Sequence, residues 1–139
     1  MAYIIADNII SPLGETSEEN YLSVKAGRSG IRAYEPGTCN IPEGFYASLL
    51  FEDFETLALR SAQKAIANAQ KELKGKRTAF ILSSTKGNIE ENISLADSAQ
   101  RIASQLGIDA KPIVVCNACI SGLSALILGN RLIDSDLYD

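Results

Sequence analysis

The chain has 139 residues, 46% apolar and 22% charged, the size and composition of a single globular domain with its own core. A formal charge of -4 and a pI near 4.9, with no block of like charge, argue against a nucleic-acid or anionic-membrane surface. Histidine is absent, so these residues alone assemble neither an imidazole base nor a histidine-built zinc site.

The opening, Met1 to Asp7, lacks a basic segment, and Asp7 interrupts its apolar run, so it does not read as an export signal. No apolar run is long enough to span a bilayer. Three cysteines, an odd number, argue against a disulfide framework and for a reducing compartment, so the expected location is cytoplasmic.

Tyr3 to Ala6, then Ile9-Ile10 and Ser11-Pro12-Leu13-Gly14, predict a buried strand running into a turn. Thr16 and Glu19 stand at capping-box spacing, which predicts a helix from Ser17 that Gly27 closes. Pro36, Gly37, Pro42 and Gly44 make residues 32–45 read as an irregular connection. From Asp53 to about Leu73, apolar residues such as Phe54, Ala58, Ala62, Ala65 and Ile66 recur at helical spacing. Glu55, Arg60, Lys64, Asn68 and Lys71 fall largely on the opposite face.

Arg77 to Ser84 reads as a second strand, apolar enough in its middle to be covered on both faces. Thr85 to Asn88 follows as a loop. Glu90 to Leu106 is a further amphipathic helix, with Ile93, Ala96, Ala99, Ile102, Ala103 and Leu106 inward and Gly107 at its end. Lys111 to Cys116 is a third strand. A last helix, about Ile120 to Asp134, is apolar on nearly all sides and belongs inside a protein. The alternation predicts one α/β domain over residues 1–139, with a mainly parallel three-stranded sheet and a buried central helix.

The segment Val114-Val-Cys-Asn-Ala-Cys-Ile-Ser-Gly122 concentrates the chemistry. A strand ends, a short turn follows, and a helix begins at small residues, which places Cys119 at the tip of an elbow. Free amides and the helix dipole at such a start favour thiolate, the nucleophilic form of cysteine. The backbone amide of Cys119 is also a candidate donor to an oxyanion on an attacked thioester. Ser121 and Gly122 remove bulk where an acyl chain or a second backbone would approach.

Two rival readings stand beside this one. A cysteine at a strand–helix junction is often a small buried hydrophobe without chemistry. The spacing Cys116-x-x-Cys119 also matches a dithiol redox motif, but that requires Cys116 at an exposed turn, whereas the run Ile113-Val-Val115 predicts that it faces the core. One such pair without a second is a poor zinc site, and Cys39 has no identifiable partner.

Two parts of the chain together resemble the β-ketoacyl synthases of the thiolase superfamily. Ile10-Ser-Pro-Leu-Gly14 with Ala26-Gly-Arg-Ser-Gly-Ile31 looks like that family's opening, and Asn117-Ala-Cys-Ile-Ser-Gly122 looks like its nucleophile elbow. The resemblance implies a partial thiolase-like fold: three strands and the central helix of the first of two similar αβ halves. It implies an acyltransferase in which Cys119 takes an acyl group from a thioester and condenses it, with decarboxylation, onto a malonyl thioester. The family's two further catalytic residues, usually histidines, have no counterpart here, so the expectation is an amino-terminal fragment inactive by itself, with no cofactor and no metal.

The same resemblance implies acyl carrier protein as the partner and a homodimer through the strand Lys111 to Cys116. It makes Ala118 and Lys86 candidate substrate-binding positions. Lys86, within Ser83-Ser-Thr-Lys-Gly-Asn88, stands where the family often has an apolar gate to the acyl pocket. Either it points to solvent or the pocket prefers short or polar acyl groups. Leu49-Leu-Phe-Glu-Asp-Phe-Glu55 is acidic and apolar where the family often carries basic carrier-binding residues. A solvated helix start explains those acids equally well, leaving Arg28, Arg60 or Lys64 for the carrier. A non-catalytic partner subunit of the same fold and a dithiol redox protein are the alternatives to the enzyme.

Overall fold

The computed structural model describes residues 2–70, 73 and 77–138. The chain divides into two compact units, Asp7–Glu52 and Met1–Ala6 with Asp53–Asp139.

The smaller unit opens on a tight turn, in which Ser11 and Gly14 exchange backbone hydrogen bonds of 2.9 and 3.1 Å. Helix α1, Ser17–Lys25, starts at the predicted capping box: Thr16 accepts from the Glu19 amide while Glu19 reaches back to the Thr16 amide. It ends at Gly27, whose φ of 72° lets the chain turn so that Gly27 and Arg28 amides satisfy Val24 and Ser23 carbonyls. The turn and the helix are tied by Asn20, a buried amide that donates to the carbonyls of Ile9, Gly14 and Thr16 at 2.8–3.0 Å. Its oxygen accepts from Ser11.

Residues 32–45 are not wholly irregular. Strands β1, Arg32–Tyr34, and β2, Phe45–Ala47, pair antiparallel with Ala33 opposite Tyr46. Tyr34 stacks on Phe45 at 5.4 Å and meets Phe51 edge-on at 6.2 Å. That aromatic cross-strand pairing outweighs the prolines and glycines of the connection.

The larger unit contains α2 (Phe54–Ala69), β3 (Ile81–Ser83), α3 (Leu95–Gln105), β4 (Ile113–Val115) and α4 (Ser121–Asp134). Asp53 caps α2 by accepting the Thr56 amide at 2.9 Å. Helix α2 stops at Gln70, in the left-handed region, short of the predicted Leu73; Lys71 lies outside the described residues. Strands β3 and β4 pair in parallel, Leu82 beside Val114. Alternation along β3 sends Ile81 toward Gly129 of α4 and Leu82 into a core with Ala99, Ile102, Phe54 and Leu59. The parallel pair therefore has helix packing on each face.

Three sequence expectations fail here. Among the described residues the parallel sheet has two strands, not three: residues 2–8 form no ladder, and Tyr3, Ile4 and Ile5 are exposed. An apolar run favours a strand only where a partner edge receives its backbone groups. Helix α4 is not buried. One side lies on β3 and β4, but Leu123 and Leu126 are 59% and 61% exposed, because the described residues place no layer over its outer face. Helix α3 begins at its Ser94 cap rather than at Glu90, and Ala96 faces outward while Ser98 is fully buried.

Candidate functional site

The parallel register brings the ends of β3 and β4 to one edge of the sheet, where the following loops meet; the amide of Ser84 still donates to the carbonyl of Val115. In a parallel α/β sheet this carboxyl edge is where ligands bind. One loop carries Lys86 and the other carries Cys116, Ala118 and Cys119.

Cys119 occupies a 3-10 turn, Ala118–Ile120, between the end of β4 and the first residue of α4. Ala118 has a φ of 44°, a left-handed conformation costing an L-residue roughly 1–2 kcal/mol. The strain is held by Ser121, which is buried. Its hydroxyl accepts the Asn117 amide at 2.8 Å and donates to the Ala118 carbonyl at 2.8 Å. The Ile120 amide closes the turn on the Asn117 carbonyl at 3.1 Å, and the Asn117 side chain donates to Ser124 at 3.3 Å. Ser121 thus contributes a hydrogen-bonding clamp as well as small size.

The Cys119 thiol is free and exposed, and no acceptor among the described residues takes its amide. Ala118 is exposed beside it. Cys116 is exposed too, against the expectation that it faces the core. The ladder ends at Val115, so the side-chain alternation of the strand no longer governs the next residue.

Lys86 is exposed on the neighbouring loop. The Ser84 hydroxyl shapes that loop by accepting the amides of Lys86 and Gly87 at 3.4 and 3.0 Å. Gly87 has a φ of 66°, and a Cβ there would lie 2.6 Å from Leu95. The far end of the loop is fixed by Asn88, whose side chain donates to Glu55 at 2.6 Å and accepts the Glu91 amide at 3.2 Å.

Glu55 is the residue that sequence reasoning misplaced most. Assigned to the polar face of α2, it is buried, and its second oxygen accepts from the fully buried Ser98 at 2.5 Å. Its carboxylate joins α2, α3 and the Lys86 loop. The signal was present, since Glu55 stands three and four residues before Ala58 and Leu59, both packed on the core; its charge concealed it.

Beyond the elbow, Gly122, Ala125 and Gly129 of α4 face Ile81, Tyr3 and Ile4 across a mainly apolar cavity of about 500 Å³. No cluster of three metal-ligating side chains exists among the described residues, and no helix among them is long and apolar enough to cross a membrane. No known family model, curated protein or solved structure matches the chain.

Proposed function

We propose that the chain is the nucleophile-bearing, amino-terminal part of a β-ketoacyl synthase-like condensing enzyme, acylated at Cys119. The observation that carries this reading is the elbow: an exposed thiol on a strained, clamped turn, at the carboxyl edge of a parallel pair and the start of α4. Attack of the Cys119 thiolate on a thioester carbonyl forms a new C–S bond. The tetrahedral oxyanion then collapses, breaking the donor's C–S bond and releasing the donor thiolate. The untaken Cys119 amide is a donor for that oxyanion.

The condensing enzymes that the chain resembles use two further catalytic residues, usually histidines, and on this reading another stretch of polypeptide supplies them, since these residues include no histidine. The apolar outer face of α4 supports such an arrangement, because a helix of this composition calls for cover. Acyl carrier protein is the proposed donor, Ala118 flanks the acyl group, and the edge of β4, Lys111 to Cys116, pairs with a second copy. The exposure of Lys86 favours its solvent-facing reading over an apolar-gate substitute.

The test is mass spectrometry of the chain incubated with butyryl-coenzyme A. The expected result is one butyryl group on Cys119, released by hydroxylamine and absent in C119S. An unlabelled chain, or labelling undiminished in C119S, would overturn the reading.

A further inference from the structure

Cys116 and Cys119 bracket two residues at the one place where the chain turns from β4 into α4, and both thiols are exposed and free. Of the two intervening residues, Ala118 is left-handed, with a φ of 44°, and bends the chain just before Cys119. The turn is held bent by the Ile120–Asn117 backbone bond and by the Ser121 hydroxyl. Four consecutive residues span about 10 Å at most when extended, and the left-handed Ala118 shortens that span toward the separation of about 7 Å between α-carbons that a disulfide needs. The third thiol, Cys39, lies in the other compact unit, in the turn between β1 and β2.

We infer that Cys116 and Cys119 form a reversible oxidation site, in which a peroxide converts the dithiol to an intrachain disulfide. The step balances without a further reactant. The Cys119 thiol releases its proton, the thiolate attacks one peroxide oxygen, the O–O bond breaks, and the departing hydroxide takes up that proton, giving a sulfenic acid and water. The Cys116 thiol releases its proton, its thiolate attacks the Cys119 sulfur, the S–S bond forms, the S–O bond breaks, and the hydroxide leaves with that proton as a second water. Peroxide is reduced by two electrons and the dithiol is oxidised by two. The disulfide masks the sulfur at the elbow, and a dithiol reductant restores it.

This inference does not depend on acylation, since it concerns peroxide and two thiols alone. The full chain is treated with hydrogen peroxide and analysed by intact mass and peptide mapping. The expected product has lost two hydrogens, carries a Cys116–Cys119 linkage, resists iodoacetamide at both positions and reverts with dithiothreitol. In C116S the resolving thiol is gone, and Cys119 proceeds to the irreversible sulfinic acid, gaining two oxygens. The exposure of Cys116 makes that substitution compatible with folding, which circular dichroism checks. Over-oxidation of Cys119 in the native chain at the C116S rate would overturn the inference, as would a linkage that joins two chains or involves Cys39.

Discussion

The hydroxyl of Ser121 holds the amide of Asn117 at 2.8 Å, across the turn that carries Cys119. One buried side chain thereby fixes the strained Ala118 conformation from both sides, because the same hydroxyl donates to the Ala118 carbonyl. Removing it leaves the Asn117 amide and the Ala118 carbonyl without this partner. Ser121→Ala is expected to cost about 1–3 kcal/mol in urea unfolding. It is also expected to bring the iodoacetamide rate of Cys119 close to that of Cys39. Unchanged stability and an unchanged rate would show that the clamp is dispensable.

Glu55 links three elements through two hydrogen bonds in the core. Glu55→Gln retains one acceptor but turns an NH₂ toward either the Asn88 or the Ser98 donor. A loss of about 1–3 kcal/mol is expected from chemical denaturation. Hydrogen exchange is expected to quicken in the loop from Ser84 to Asn88 more than in α4. Uniform acceleration throughout the unit would instead mean global destabilisation without a special role in the loop.

Asn20 serves the smaller unit in a comparable way, with its amide spread over three carbonyls and its oxygen taken by Ser11. Asn20→Leu has similar bulk and no hydrogen bonds. The expected outcome is rapid proteolysis within residues 8–16, at protease levels that leave the native chain intact.

The carboxylate of Asp53 is held below its usual value of 3.8 by hydrogen bonds with the Thr56 side chain and amide. A folded value below the unfolded one gives stability that is present above pH 3.8 and lost as pH falls through the folded value. Asp53→Ala is therefore expected to lower Tm at pH 7. The gap from the native chain narrows as the solution is taken below that range. A gap of constant size down to pH 2.5 would show that the charged cap contributes nothing.

If β4 pairs with its copy, multi-angle light scattering at high concentration gives a dimer, and Val114→Pro gives a monomer by removing a ladder donor from the edge. A native chain that stays monomeric at the highest concentration reached would count against the proposed pairing.

Local signals were legible in the residues alone: the Thr16–Glu19 capping box, the Gly27 and Gly107 stops, the apolar middles of β3 and β4, and the strand–turn–helix order around Cys119. Each depends on neighbours within a few positions, where hydrogen-bond geometry and side-chain period act directly. What required the tertiary structure was every property set by a distant partner. Glu55 is buried because Asn88 and Ser98, 33 and 43 residues away, satisfy its carboxylate. Among the described residues Tyr3 to Ala6 joins no ladder, and α4 is exposed because composition can call for cover without providing it. Cys116 followed the same rule: the run before it pointed inward, but the ladder ended one residue earlier, and the turn carried the thiol to the surface.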